Sequence, residues 1–191
     1  AGWRVDWAAL RDQLEATAAL AAELRLWTVV GSNHPLTPPN RPHNSLYVIS
    51  DQGELAGRYD KRLLSYTEVS EWYAPGAEPL VFEVDGFRFG CVLCIEIQFP
   101  ELFVEYARQD VDMVLLSTFS RDPMFAVQAQ GHAACGALRG LAVAAHPIQH
   151  GDELQVPLCQ RCGRVDPGEQ LRQVRAAAAQ CSTLAAMGWP G

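Results

Sequence analysis

The sequence predicts a layered α/β fold in a single domain. Strand-like apolar runs alternate with helix-like stretches along the chain, and Gly-containing turns join neighbouring strands. Elements interleaved in this way pack as sheets covered by helices. The length of 191 residues is enough for one well-buried domain and too short for two large ones. We therefore expect one domain over residues 1–191.

The N-terminal part is predicted to begin with a helix. Asp6 can cap a helix over residues 7–25, in which apolar side chains recur at helical spacing. A short buried strand is expected at residues 27–31, and the segment 33–42, with its four prolines, predicts a loop. Two strands joined by a turn come next, at residues 45–49 and 55–59.

The alternation continues up to about residue 145. Residues 61–78 are predicted to be irregular, and Asp85-Gly86 is predicted to turn between two hairpin strands. The remaining predicted strands are 80–84, 87–93 and 111–116, and the remaining predicted helices are 99–109 and 123–142. Residues 146–191 mix polar residues with Gly and Pro without a clear period, so they form a divergent tail for which no fold is predicted.

Composition and charge disfavour several classes of function. Apolar residues make up 49% of the chain, which is typical of a globular protein, and the formal net charge is -7. An acidic surface repels nucleic-acid phosphates and anionic lipid headgroups, and no apolar run reaches the ~20 residues of a membrane span. The first residues lack a secretory pattern. We expect a cytoplasmic protein without nucleic-acid or membrane partners, whose six cysteines are mostly free thiols.

The segment 90–101 carries the strongest chemical signal. An apolar strand ends at Cys94, a short turn follows, and a helix begins near Pro100. This order is typical of a nucleophile elbow, which exposes a side chain at the rim of a sheet and directs backbone N–H groups at a developing oxyanion. A thiol there needs a base or a nearby cation, because the thiolate is the attacking species. Taken alone, however, a cysteine in an apolar strand is usually an ordinary core residue.

Three short segments precede the elbow in a characteristic order. The sequence reads Tyr59-Asp60-Lys61-Arg62-Leu63-Leu64, then Ala74-Pro75-Gly76, then Arg88-Phe89-Gly90, then Cys94-Ile95-Glu96-Ile97-Gln98-Phe99-Pro100-Glu101. Over residues 8–145 this resembles the nitrilase-like carbon–nitrogen hydrolase superfamily. That family has a Tyr-x-Lys-x-x-Leu segment, a Pro-Gly loop, a hairpin ending in Arg-Phe-Gly and a Cys-x-Glu-x-x-Phe-Pro-Glu elbow.

The resemblance implies an α-β-β-α sandwich and a hydrolase that attacks an amide or nitrile carbon through a cysteine thioester. On matching positions, Cys94 is the nucleophile, and Lys61 with the backbone N–H of Ile95 stabilises charge on the tetrahedral intermediate. A second family glutamate lies after the lysine; Glu68 is our choice for it, with Glu71 as the alternative. The resemblance implies no metal or cofactor, a small amide or nitrile as partner, and a homo-oligomer.

The match departs from the family at both ends. The family's general-base glutamate follows its first strand, ahead of the helix predicted at residues 7–25, and no residue of this sequence matches it. Residues 146–191 diverge from the family's later segments, so the sandwich is expected to be incomplete. Because general-base assistance typically contributes ~10²–10⁴-fold, these 191 residues are expected to hydrolyse amides poorly.

Two other interpretations stay open. A zinc module would use Cys91, Cys94, Cys159 and Cys162, since four thiolates suit tetrahedral zinc. Against it, Cys91 and Cys94 lie in an apolar strand, where residues three apart point to opposite faces. The second alternative is a catalytically inactive family member that serves as a binding or assembly subunit. The five histidines have no convincing ligand spacing and are read as ordinary loop or core residues.

Overall fold

Three α-helices and two sheets form in the part of the chain that the computed structural model describes, residues 5–118, 120, 122–135 and, as backbone, 140–145. The helices are α1 (Trp7–Leu24), α2 (Pro100–Arg108) and α3 (Pro123–Cys135). The strands are β1 (Thr28–His34), β2 (His43–Ile49), β3 (Leu55–Asp60), β4 (Val81–Val84), β5 (Phe87–Leu93), β6 (Met113–Thr118) and β7 (Gly140–Ala145). The predicted alternation of strands and helices is confirmed.

The first sheet is antiparallel and has the order β1-β2-β3. Helix α1 precedes it, and the Asp6 carboxylate caps α1 as predicted, accepting a hydrogen bond from the Ala9 N–H (3.0 Å). The helix lies beside β1 and buries Ala21. Its backbone also approaches the β2–β3 turn so closely that only glycine fits at Gly53. One side of this sheet is therefore covered by a helix.

The second sheet has the order β4-β5-β6-β7. The β4–β5 pair is antiparallel and turns at Asp85-Gly86, whereas β5–β6 and β6–β7 are parallel, joined by the crossover helices α2 and α3. Apolar side chains from this sheet, from α2 and α3 and from the segments next to them form one buried cluster: Val92, Ile97, Leu102, Phe103, Tyr106, Val111, Val114, Leu116, Ala129 and Ala133. This cluster fixes the two helices on the outer face of the sheet.

A second apolar cluster joins the two sheets face to face. It contains Leu46, Val48 and Tyr59 from the first sheet and Phe82, Val84, Phe89, Cys91 and Leu93 from the second. Alternate residues of each strand point into this layer, as a half-buried strand requires. The layers therefore run helix, sheet, sheet, helix, and the predicted α-β-β-α sandwich is confirmed for the described residues.

One element differs from the prediction. The helix predicted over 123–142 ends at Cys135, and Gly140–Ala145 is a strand that pairs in parallel with β6. An alanine-rich apolar run does not distinguish a helix from a strand buried on both faces. Two glycines, Gly136 and Gly140, interrupt the run and disfavour an unbroken helix.

Two loop predictions also changed in detail. β1 continues to His34, because backbone pairing with β2 extends past the point where apolar residues end. Glu68–Trp72 forms a short π-helix within the segment predicted to be irregular. None of the helices in the described ranges is long and apolar enough to cross a lipid bilayer. Residues 146–191, with the predicted tail, lie outside the described residues.

Candidate active site

A sharp change of direction at Cys94 separates β5 from the helical segment that follows. Cys94 has a left-handed backbone (φ 50°) and begins a 3-10 turn over Cys94–Gln98. The other positive-φ residues besides glycine in the described ranges follow helices or form the β4–β5 turn, where this conformation is common: Arg25, Asp85 and Asp110. At a strand-to-helix junction such a backbone costs ~1–3 kcal/mol and marks a candidate functional site. The Cys94 thiol belongs to a half-buried free cysteine.

Close packing next to the elbow holds β5 in place. A Cβ atom at Gly90 would overlap the ring of Tyr106 on α2, which explains the glycine of the Arg-Phe-Gly motif. The Tyr106 hydroxyl donates a hydrogen bond to the Cys91 carbonyl (2.7 Å) and accepts one from the Cys91 N–H (3.2 Å). Burial of Cys91, together with the nearby Glu96, raises the pKa of its thiol to about 12. Cys91 is therefore a neutral core residue at ordinary pH.

Lys61 directly follows β3, and its side chain is buried, with 1% exposed. The Lys61 N–H donates to the Asn44 carbonyl on β2, and the Lys61 carbonyl accepts from the Gly76 N–H, both at 2.8 Å. A Cβ atom at Gly76 would collide with the backbone of Asp60, so the Pro-Gly loop needs glycine to approach this closely. The two contacts hold the lysine between β2 and this loop.

Glu68 is the partner of the buried lysine. Lys61 Nζ lies 2.7 Å from both carboxylate oxygens of Glu68, and the Ser65 N–H donates to the same carboxylate at 2.8 Å. Burial alone would raise the pKa of Glu68, but these hydrogen bonds and the ammonium charge outweigh it, so the pKa is lowered. Glu71, the alternative from the sequence, is exposed. The geometry therefore favours Glu68 over Glu71 as the lysine's partner.

A second buried carboxylate, Glu96, was not singled out from the sequence. Its Oε1 accepts the backbone N–H groups of Arg62 (2.7 Å) and Leu63 (3.0 Å), and its Oε2 accepts the Leu93 N–H (2.6 Å). The Tyr59 hydroxyl lies 2.9 Å from both oxygens. The sequence does contain a signal for it: Glu96 is a charged residue between two isoleucines, at the third position of the elbow motif.

These contacts join the two halves of the candidate site. Tyr59, Arg62 and Leu63 flank Lys61, while Leu93 and Glu96 flank Cys94. Each half belongs to a different sheet, so one carboxylate links the lysine segment to the elbow. Burial raises the pKa of Glu96, and its hydrogen bonds offset that effect only in part.

The far end of the elbow is attached to α3. His132 Nε2 lies 2.8 Å from the Ile97 carbonyl, and its ring stacks on Phe103 at a centroid distance of 4.0 Å. His132 thus serves as a core contact of the 3-10 turn, which agrees with the expectation that the histidines are ordinary residues. His146 and His150 lie outside the described residues.

Comparison with known proteins identifies the family. The family model for carbon-nitrogen hydrolases matches residues 3–146. The chain belongs to this family. The match contains the lysine segment, the Pro-Gly loop and the Cys94 elbow.

Several relatives of this carbon–nitrogen hydrolase chain are known. Two proteins of Mycobacterium tuberculosis, each named only as a hydrolase, are 45% identical over 49 residues, which cover 26% of this chain and 17% of theirs. An amidase from Nesterenkonia sp. AN1 has a similar structure, with a TM-score of 0.64 and 18% identity over 71% of this chain and 54% of the amidase. The chain thus matches about half the length of that amidase, and the likeness shows the fold alone.

Further structures of the Nesterenkonia amidase carry small molecules. One of its mutants has acrylamide added at the active-site cysteine, with a TM-score of 0.65 and 18% identity over 71% of this chain and 54% of that one. Another mutant is in complex with butyramide, with a TM-score of 0.64 and the same identity, over 71% and 53% of the two chains. Both molecules are amides bound by that protein.

The predicted site residues lie on two segments, the Lys61 segment and the Cys94 elbow, which Glu96 connects by hydrogen bonds. Lys61 and Glu68 are in direct contact, Cys94 begins the elbow, and Ile95 is the next residue of the 3-10 turn. For the zinc alternative, Cys91 points into the inter-sheet core, and Cys159 and Cys162 lie outside the described residues. Within the described ranges, no three His, Cys, Asp or Glu side chains are grouped as a metal site.

Proposed function

We propose that this chain carries the nucleophile, the lysine and the second glutamate of an amide-cleaving carbon–nitrogen hydrolase. The observation that supports this most directly is the left-handed elbow at Cys94, linked through Glu96 to the segment that bears the buried Lys61. Family membership supports the reaction class, and the geometry supports the roles that we propose for the residues. The chain matches only about half of the solved amidase. The activity of the whole protein is therefore proposed here and does not follow from that likeness.

The proposed reaction has two steps. The Cys94 thiolate attacks the carbonyl carbon of the amide, the C–N bond breaks, and the amine leaves with a proton, so a thioester remains. Water then attacks the thioester carbon and releases the acid and the free thiol. In both tetrahedral intermediates the negative oxygen is stabilised by the Lys61 ammonium and by the Ile95 N–H at the start of the 3-10 turn.

Glu68 acts on the lysine in this proposal. Burying an ammonium without a partner costs free energy, because the charge loses its hydration. The Glu68 carboxylate, 2.7 Å from Lys61 Nζ, compensates this charge and fixes its position. The lysine then directs a positive charge at the developing oxyanion, while the thiol requires a separate base.

The two buried carboxylates near the site cannot serve as that base. Glu68 is occupied by Lys61 and Ser65, and Glu96 is occupied by backbone N–H groups and Tyr59. Since no residue of the sequence matches the family's general-base glutamate either, we propose that the 191 residues alone turn over amides slowly, at a rate lowered by the ~10²–10⁴-fold that a general base usually contributes. Ordinary enzyme rates for the purified chain, abolished by Cys94→Ala, would refute this.

An amide is the substrate class that we favour. The solved amidase of the same fold binds butyramide and reacts with acrylamide, and both are small aliphatic amides. Carbamoyl-amines and nitriles are the alternatives, since the same nucleophile attacks their carbon atoms. We also expect a homo-oligomer, as the family resemblance implies, and a cytoplasmic setting, as cysteines read as mostly free thiols predict.

Selective labelling of the nucleophile tests this function. Fluoroacetamide is a suitable probe, because an attacking thiolate displaces its fluoride and keeps the acetamide group, and it alkylates ordinary thiols slowly. Cys94 should be labelled at least about tenfold faster than the exposed Cys135, and Lys61→Met should remove this preference. Peptide mass spectrometry measures both sites in one chain. Equal labelling of the two cysteines, or a preference unaffected by Lys61→Met, would overturn the proposal.

The occupied carboxylates favour one second candidate, a family member that binds an amide without cleaving it. It predicts that the isolated chain binds butyramide yet shows no selective alkylation of Cys94. Isothermal titration calorimetry with butyramide, beside the labelling experiment, separates the two functions.

A further inference from the structure

We propose that Glu96 is a positioning residue that holds the Lys61 segment and the Cys94 elbow in register. The inference rests on the proposed function, because it gives Glu96 a role in the reaction of Cys94. It concerns a residue that touches neither the substrate nor the reacting atoms and acts only through its neighbours.

The position of the hydrogen bonds supports this role. Glu96 is fully buried, and its carboxylate accepts from Tyr59, two residues before Lys61, and from the two residues after Lys61. The same carboxylate accepts from Leu93, the residue just before Cys94, at 2.6 Å. Lys61 and Cys94 therefore each lie within two residues of a donor to the Glu96 carboxylate.

Apolar packing also joins the two segments, through Tyr59 with Leu93 and Leu63 with Ile97, but among the described residues every hydrogen bond between them involves Glu96. The Lys61 backbone bonds to β2 and to the Pro-Gly loop, and its ammonium bonds to Glu68. The elbow is attached to α3 through His132. Between the sheets the core is apolar, and apolar packing has little directional preference. Hydrogen bonds are directional, so Glu96 can set the relative position of the two sheets at this end more finely than the core does.

A carboxylate is the side chain that this place requires. All four groups around it are N–H or O–H donors, and an ionised carboxylate only accepts. A glutamine could keep its oxygen toward Arg62 and Leu63, but its NH2 would then face the Leu93 N–H. Glu96→Gln therefore breaks the bond to the elbow while preserving the size of the side chain.

Stability alone does not explain a glutamate at this position. Burial raises the pKa of Glu96, so the folded state holds its charge at a cost. Buried polar groups can often be replaced by apolar side chains of similar volume with little loss of stability. The glutamate at position 96 is therefore better explained by the relative position of the two site segments, which its hydrogen bonds determine.

The test follows the kinetics of Cys94 alkylation by fluoroacetamide in the 191-residue chain. We expect Glu96→Gln to lower the maximal alkylation rate about 10- to 100-fold and to change the half-saturating concentration by less than about threefold, since a displacement near 1 Å can cost about 10²-fold in rate. Glu96→Asp, whose carboxylate is one methylene short of its donors, should fall between this variant and the unsubstituted chain.

Tyr106→Phe is the matched control. It removes two hydrogen bonds to the backbone of β5 in the same core, but these bonds do not reach the lysine segment. It should lower stability with little change in the maximal alkylation rate. Amide hydrogen exchange supplies a second readout: Glu96→Gln should speed exchange at Leu93 together with Arg62 or Leu63, while Tyr106→Phe should affect Cys91.

The outcomes separate the two proposals. If Cys94 of the unsubstituted chain is not labelled selectively, the proposed function fails, and this inference fails with it. If that labelling is selective and Glu96→Gln alkylates at the unsubstituted rate, only the positioning role is overturned. Should Glu96→Gln fail to fold, Tyr59→Phe replaces it, because it removes one donor to the same carboxylate. Tyr59→Phe is expected to slow alkylation about 2- to 10-fold. An unchanged alkylation rate in Tyr59→Phe would also overturn the positioning role.

Discussion

Glu68 and Glu96 are two buried carboxylates beside the same lysine-bearing segment, and their surroundings have opposite effects. Glu68 contacts an ammonium group at 2.7 Å, and its pKa is lowered. Glu96 contacts only backbone N–H groups and a tyrosine hydroxyl, and its pKa is raised. Glu96 is buried more deeply than Glu68 and has no cation beside it, and both differences favour a raised pKa for Glu96 and a lowered one for Glu68.

The difference separates two tasks that an active site must combine. In the proposed reaction, the Lys61–Glu68 pair supplies a positive charge near the reacting carbon. In the same proposal, Glu96 holds two backbone segments in place and does so without a paired cation. Substitutions in the first region should therefore change electrostatics most, and substitutions in the second should change geometry most.

Removal of the buried cation is expected to have the largest effect on stability. Lys61→Met leaves the Glu68 carboxylate buried without its partner, which should lower the free energy of unfolding by about 3–5 kcal/mol. Urea denaturation monitored by tryptophan fluorescence measures this change.

The double variant Lys61→Met/Glu68→Gln sharpens the result. Since both charges are then gone, it should recover about half or more of the lost stability, giving a large coupling energy between the two sites. Additive losses would show that the pair does not act as a unit.

The second prediction concerns pH. The pKa of Glu68 is lowered from its usual 4.5, so its stabilising effect is complete above that value and is lost as pH falls through the lower folded-state pKa. Glu68→Gln should therefore be about 3 kcal/mol less stable at neutral pH, and the difference should shrink in acid. The difference in urea midpoint between the unsubstituted chain and Glu68→Gln, measured from pH 3 to pH 7, tests this dependence. A difference independent of pH would contradict the ionised pair.

For Glu96 we expect the opposite dependence of stability on pH. Its folded-state pKa is raised above 4.5, so protonation favours the folded state and stability falls as pH rises from that value through the folded-state pKa. Comparison of the unsubstituted chain with Glu96→Gln should reveal this decrease, which the variant lacks. A flat difference would mean that Glu96 keeps the same affinity for its proton in both states.

A smaller effect is expected when one donor to Glu96 is removed. Tyr59→Phe deletes the hydroxyl that lies 2.9 Å from both carboxylate oxygens, and it should lower the free energy of unfolding by about 2 kcal/mol, the usual value for a hydrogen bond to a charged group. Thermal or urea unfolding measures it. A loss below about 0.5 kcal/mol would indicate that the carboxylate is protonated or hydrated instead.

The smallest effect is expected at the partly exposed end of the lysine segment. Arg62 bonds to Glu105 at 2.7 Å; the Glu105 side chain is 39% exposed and that of Arg62 10%. Solvent screens the Glu105 end of the pair, so Glu105→Gln should change stability by about 1 kcal/mol and should leave Cys94 alkylation unchanged. A loss comparable with that of Tyr59→Phe would show that this ion pair supports the site.

Local patterns predicted most of the fold and part of the site. The Asp6 cap, the Asp85-Gly86 turn and the strand leading to Cys94 depend on neighbouring residues, so they are readable from spacing. The strand at Gly140–Ala145 was missed, because its identity depends on pairing with β6 and not on its own composition. Likewise, nothing in the spacing distinguishes Glu68 from Glu71, since only the folded loop shows which one faces Lys61.

By itself the sequence determined the α/β layering, the family resemblance and the identity of Cys94 and Lys61 as candidates, because these depend on order and local spacing. The tertiary structure decided which carboxylate pairs with the lysine and which one joins the two sheets. Each carboxylate binds a group that its local sequence pattern does not specify: Lys61 is 7 residues from Glu68, and Arg62 is 34 residues from Glu96. Such pairings exist only after the chain has folded, so no local pattern could specify them.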